Sequence, residues 1–199
     1  MARYIGPKWR INRRENATIL GDDSWKRRQT PPGQHGASRS RRPSEYAIQF
    51  REKQKVKRTY GLFEKQFKKI FKMAQKATGN TGTRFLQLLE MRLDNIVYRL
   101  KFAKTRAQAR QFITHGNIMV NGKRLNIPSY TVRVGDRISL SKKLKDSELI
   151  KMIQVERKIE KLPKWLAGTS SEGEVVAMPI RADMDNSIKE QLIVELYSR

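Results

Sequence analysis

Cysteine is missing from all 199 residues, so disulfides and thiolate metal centres are excluded. Only two imidazoles are present, His35 and His115, too few and too far apart to supply a tetrahedral metal site. Long apolar runs are also lacking: none approaches the ~18 residues that a membrane span needs. The opening Met1-Ala2-Arg3-Tyr4 is not followed by the apolar core of a signal peptide. The absence of disulfides fits a reducing compartment. Acidic residues are scarce, 19 against 43 Lys+Arg, which leaves a formal charge of +24. Self-repulsion on this scale opposes compaction unless a polyanion compensates it. Nucleic acid is the favoured partner and an anionic membrane a distant second.

The charge is not uniform along the chain. Residues 1–60 carry 16 Lys+Arg against 5 acids, residues 61–155 carry 20 against 6, and residues 156–199 carry 7 against 8. The basic surface therefore belongs to the first three quarters. The last quarter is suited to packing and protein contacts, with Leu192, Ile193, Val194, Leu196 and Tyr197 as its apolar set.

Residues 1–43 show no apolar periodicity, and Gly6-Pro7, Pro31-Pro32-Gly33 and Gly36 interrupt any regular element. They read as an extended basic arm with Tyr4, Trp9, Trp25 and His35 set among the arginines. Guanidinium groups pair with phosphates and rings stack on unpaired bases, so such an arm is suited to ordering on RNA. Ser44 as N-cap and Glu45 in the first turn predict a helix from there to Tyr60, closed by Gly61. A second helix carries Phe63, Phe67, Ile70, Phe71 and Ala74 at three- and four-residue spacing, a core stripe, with lysines on the rest of its surface. A loop over 78–82 precedes a third helix, expected to be capped by Thr83 and to carry Phe85, Leu86, Leu88 and Leu89. Asp94 is expected to cap its continuation.

The stretch 105–140 is the most informative. Thr105 and Gln108 fit a capping box, Ala109, Phe112 and Ile113 form an apolar face, and Arg106 and Arg110 share a neighbouring face. Asn121-Gly122 is a strong hairpin signal, placing Lys123 and Arg124 beside the turn. Thr131–Val134 and Arg137–Leu140 are expected to pair as strands about the Gly135-Asp136 turn. Beyond it, Lys142 to Lys164 reads as partly helical, Ser170, Ser171 and Gly173 as loop, and Ile188–Tyr197 as helix. Helices followed by a small sheet suit double-stranded RNA, which is recognised by backbone shape.

Taken in order, these segments resemble the small-subunit ribosomal protein four family in its bacterial form. The resemblance rests on Ala2-Arg3-Tyr4-Ile5-Gly6-Pro7-Lys8, Pro31-Pro32-Gly33-Gln34-His35-Gly36, Ser44-Glu45-Tyr46 and Arg51-Glu52-Lys53-Gln54-Lys55-Val56. Its densest part is Leu88-Leu89-Glu90-Met91-Arg92-Leu93-Asp94-Asn95-Ile96-Val97-Tyr98-Arg99-Leu100. It continues through Arg106-Ala107-Gln108-Ala109-Arg110-Gln111, Val120-Asn121-Gly122-Lys123 and Ile127-Pro128-Ser129-Tyr130 to Gln191-Leu192-Ile193-Val194-Glu195 and Tyr197-Ser198-Arg199.

The resemblance implies an α+β fold: an extended arm over 1–43, a helical domain over 44–91 completed by about 182–199, and an inserted RNA-binding module over 92–181 with its core at 92–155. It implies a non-enzymatic constituent of the small ribosomal subunit, cytoplasmic or organellar. Such a protein is a primary rRNA binder that grips a multi-helix junction, nucleates assembly of the subunit body and contributes to translational accuracy. Its partners would be small-subunit rRNA and neighbouring small-subunit proteins, with the path by which mRNA enters close by, and neither membrane nor small-molecule substrate. Candidate rRNA contacts are Arg3, Lys8, Arg10, Arg13, Arg14, Lys26, Arg27, Arg28, His35, Arg39, Arg41 and Arg42 in the arm. Arg51, Lys53, Lys55, Lys57 and Arg58 follow on the first helix after it, and Arg106, Arg110, Lys123 and Arg124 in the module. Relatives that hold zinc carry Cys-x-x-Cys in the arm. Trp9 and Asn12 stand there in this chain, so a zinc-free variant with no cofactor is expected, its arm ordered by RNA contact and packing.

A similar module occurs in pseudouridine synthases and some tRNA synthetases, which raises an enzyme as the competing function. The 44 residues after 155 are too few for a catalytic domain with its own core, and Asp94 and Asp136 read as a cap and a turn residue. A free RNA chaperone explains the charge but not the ordered motifs.

Overall fold

A computed structural model describes residues 4, 6–20, 23–28, 30–37, 42–156 and 162–198. It divides into two compact units, residues 1–82 with 186–199 and residues 83–185. The dividing point falls inside a helix rather than at 91/92.

In the first unit the arm is not wholly extended. It contains helix α1 (Lys8–Glu15) and a 3₁₀ turn over Asp23–Arg27. Trp9 and Asn12 supply internal order: Trp9 lies against the Arg13 guanidinium at 5.5 Å, and the Asn12 carboxamide oxygen accepts from the Ile19 and Leu20 amides at 3.1 and 3.2 Å. Helix α2 (Glu45–Thr59) begins as expected, the Ser44 hydroxyl accepting from the Ala47 amide. It ends in a Schellman turn, Gly61 at φ +63° with the Leu62 amide bonded to Lys57 O. Helix α3 (Glu64–Lys76) buries Phe67, Phe71 and Ala74, whereas Phe63 caps it and stays exposed.

The last helix, α9 (Glu190–Ser198), completes this unit by packing along α2. Tyr197 stacks on Phe71 at 4.5 Å between centroids and donates its hydroxyl to Glu64 at 3.0 Å. Lys53 and Lys57 also donate to Glu64, at 2.7 and 2.9 Å. Burial raises the Glu64 carboxyl's pKa, but these three bonds outweigh it and hold the group at about 2 against an ordinary 4.5. Burial, and then the Glu64 charge, push the Tyr197 phenol above its usual range.

The second unit contains α4 from Thr83 onward, α5 (Leu93–Arg99), α6 (Arg106–Thr114), α7 (Lys142–Lys145) and α8 (Glu148–Glu156). Helix α4 (Thr81–Glu90) starts two residues before the expected cap Thr83. An antiparallel sheet runs β2-β1-β3-β5-β4, with β1 (Ile118–Val120), β2 (Lys123–Arg124), β3 (Arg137–Leu140), β4 (Leu166–Gly168) and β5 (Glu172–Val175). The class is α+β as expected. The Asn121-Gly122 hairpin forms with both residues at positive φ, as a type I′ turn requires.

The expected pairing of 131–134 with 137–140 does not occur. Val132 and Tyr130 bond instead to Met91 and Leu93, and β3 takes β1 and β5 as neighbours. The stretch read as loop around Gly173 is a hairpin. Gly168 and Gly173 pair, and a Cβ on Gly173 would fall 2.4 Å from Leu100 Cδ2. Glycine suppresses the strand signal here because the sheet must pass close to a helix end. One core joins Ile96, Val97, Phe102, Ile113, Ile118, Ile138, Trp165 and Val175, with Phe112 and Ala109 of α6 buried as expected.

Replacing Glu64 by Gln should lower the melting temperature at neutral pH. The folded-state pKa lies below the ordinary value, so the carboxylate's contribution is complete above about 4.5 and is lost as pH falls toward about 2. Its side chain is 46% exposed, which limits the effect to about 1 kcal/mol. Melting curves of both proteins from neutral to acidic pH should converge as the carboxyl protonates, and a constant difference across that range would refute the assignment.

Candidate nucleic-acid interface

In the second unit the densest sequence motif builds two linked ionic clusters. Asp94, 3% exposed at its side chain, accepts from Arg92 through Nε and Nη2 at 3.1 and 2.9 Å, and from Arg110 Nη2 at 2.6 Å. The N-cap of α5 is Arg92, so Asp94 is a first-turn anion and not the cap expected of it. Glu90 accepts from Arg99 Nη2 at 2.8 Å and from Asn95 Nδ2 at 2.6 Å. The Asn95 carbonyl in turn accepts from Arg106 Nε at 2.8 Å, and the Arg106 guanidinium lies 4.5 Å from the Tyr98 ring centroid. Thr105 caps α6 by accepting from the Gln108 amide, while the Gln108 side chain reaches back to the Lys104 amide, one residue earlier than a strict capping box.

Arg106 and Arg110 therefore do not stand as solvated charges that are cheap to reverse. They tie α6 to α5. Lys123 and Arg124 are both exposed on β2, but the register pairs Lys123 with Val120 and Arg124 with Met119. Successive strand residues face opposite sides, so the two do not converge on a single face. Arg137, which is not among the expected contacts, shares the Arg124 side through Ser139 and Met119. The polar–apolar alternation of Arg137-Ile138-Ser139-Leu140 was the available signal. Asp136 keeps its turn role, accepting from the Arg133 amide and from Asn121.

In the first unit many expected RNA-facing cations are engaged internally. Arg13, 6% exposed, donates to Thr30 O at 2.9 Å and to Pro31 O at 3.3 Å. Arg58 and Arg51 pair with Glu15, whose carboxyl is pushed up by burial against the pull of those arginines. Lys53 and Lys57 hold Glu64, and Lys55 donates to Ser187 O at 2.7 Å. Lys8, Arg10, Arg14, Lys26, Arg27, Arg28, His35 and Arg42 are exposed. Arg3, Arg39 and Arg41 lie outside the described residues. Among the described residues no group of three or more His, Asp or Glu could hold a metal.

Charge reversal at Arg110 places two carboxylates together where one is buried. Arg110→Glu should cost roughly 3–5 kcal/mol, far more than the ~0.5 kcal/mol of an ordinary surface change. Arg110→Ala should cost less, since Asp94 keeps Arg92. Urea denaturation of the three proteins measures this ordering, and a reversal within 0.5 kcal/mol of wild type would show that the cluster does not hold α6.

Residues 3–90 match the family described as Ribosomal protein S4/S9 N-terminal domain, and residues 91–138 match the S4 domain. Three full-length relatives are each named Small ribosomal subunit protein uS4. The relative from Halothermothrix orenii is 49% identical, that from Thermus thermophilus 46% and that from Roseiflexus castenholzii 50%, with all of both chains covered in every case. With two family matches in sequence order and identity near one half over its whole length, the chain belongs to the uS4 family of small ribosomal subunit proteins.

Proposed function

We propose that this protein is a structural constituent of the small ribosomal subunit and a primary binder of its rRNA, gripping a multi-helix junction and nucleating assembly of the subunit body. The observation that carries this reading is the full-length identity with proteins named uS4. The charge of +24 supports it independently, because self-repulsion on this scale is relieved by a polyanionic partner such as RNA. The family is structural and not enzymatic. Asp94 and Asp136, the acids an enzyme reading would call on, serve as a first-turn anion held by Arg92 and Arg110 and as a turn residue accepting from Asn121 and the Arg133 amide. The protein would reside in the cytoplasmic small subunit beside neighbouring ribosomal proteins and close to the path of incoming mRNA, from where it would contribute to translational accuracy.

The exposed cations of the arm, Lys8, Arg10, Arg14, Arg27, Arg28 and Arg42, together with Lys123 and Arg124, are the proposed rRNA contacts. Arg106, which is half-buried, is proposed with them.

If roughly eight phosphates are neutralised, log affinity should fall against log salt with a slope on the order of −6. A junction-containing small-subunit rRNA fragment should bind more tightly than a duplex of equal length, because shape selects among phosphate arrays. Filter binding across a salt series tests both. Equal affinity for the two RNAs at physiological salt would overturn specific binding and favour a general RNA chaperone.

A further inference from the structure

Helix α3 carries a charged face that none of the contacts described above explains. Lys65, Lys68, Lys69, Lys72 and Lys76 are all exposed, and none forms an ion pair among the described residues. At 100° per residue they fall within an arc of about 100°, on the side opposite the buried Phe67, Phe71 and Ala74. The one acid of the helix, Glu64, is turned away and taken by Lys53, Lys57 and Tyr197. The lysines stand at three- and four-residue spacings, so each repels its neighbours, which disfavours the helix in isolation. The row runs about 16 Å along the axis and lines a shallow open depression edged by Met73.

We propose that the outward face of α3 is a further phosphate-binding surface that takes the backbone of a base-paired RNA segment. This rests on the reading of the protein as an RNA binder and adds a contact surface outside the arm and the module. Two features choose the occupant. The face has no aromatic ring on which a splayed base would stack, which disfavours single-stranded RNA. It also lacks the aromatic or arginine anchors that centre a protein interface, Met73 being its one large apolar side chain. Lysine ammonium groups act as point charges, suited to successive phosphates without regard to base sequence.

The test uses the full chain and a transcribed junction-containing small-subunit rRNA fragment, with binding measured across a salt series. Lys68→Gln, Lys72→Gln and Lys76→Gln together should weaken binding about tenfold or more near 0.1 M salt and reduce the magnitude of the salt slope by about two. The melting temperature should hold or rise, since like charges are removed. The same three positions changed to Arg should restore both affinity and slope. Wild-type affinity and slope in the Gln variant would overturn the proposal while leaving RNA binding by the protein intact. So would an Arg variant as weak as the Gln variant, or a Gln variant that loses only affinity for a poly-glutamate peptide. A wild-type protein without salt-dependent binding to the fragment would instead overturn the RNA-binding reading itself.

Discussion

The arrangement of the second unit depends on a carboxylate held in the interior by arginines. Asp94 is buried and receives two guanidinium groups, from Arg92 two residues before it and from Arg110 on the next helix. A buried ion pair roughly breaks even against apolar packing, but removing one partner strands a charge in a medium that cannot solvate it. The consequence is geometric: α6 must present Arg110 to α5, and the face carrying Ala109, Phe112 and Ile113 then points into the core. Glu90, Asn95 and Arg106 repeat the logic one helical turn away. This explains why the stretch from Glu90 to Arg99 is so dense in distinctive residue types, since nearly every polar side chain in it has a specific partner.

The same scarcity that defines the composition governs the rest of the surface. With 19 acids for 43 cations, each buried or half-buried carboxylate draws on a local excess of positive charge. Glu15 takes Arg51 and Arg58, and Glu64 takes Lys53 and Lys57, so α2 spends its basic residues on internal cohesion. The cations left facing outward include Lys8, Arg10 and Arg14 of the arm, the lysines of α3, Lys123 and Arg124 of β2, Arg137 of β3 and Lys142, Lys143 and Lys145 of α7. Chain segments that look equally basic in sequence thus divide into structural and exposed sets according to where the few carboxylates lie.

The cysteine-free arm follows a related rule. Trp9 and Asn12 order it by a cation–π contact with Arg13 and by two amide hydrogen bonds. Trp25 is buried with its indole N–H on Thr18. Side-chain bonds hold these segments together, and Arg13 is fixed to the backbone at Thr30 and Pro31 as part of them.

Elements whose signals are local were legible without coordinates. The Ser44 cap, the Gly61 helix end, the Asn121-Gly122 hairpin and the apolar stripes of α3 and α6 depend on backbone dihedrals and on one periodicity, and both are written in adjacent residues. Elements defined by distant partners were not. Residues 131–134 alternate like a strand, but Val132 bonds to Met91 and the preceding Tyr130 to Leu93, and β4 and β5 form around glycines whose strand propensity is low. Lys101 ends α5 at φ +66° with no glycine to announce it. The candidate interface divides in the same way. The sequence alone determined the fold class, the polyanionic partner and the family, because these rest on composition and ordered motifs. Only the tertiary structure decided which cations face outward, because a lysine or arginine becomes structural when a carboxylate far away in sequence, such as Glu64 for Lys53 or Asp94 for Arg110, folds to within hydrogen-bonding distance of it.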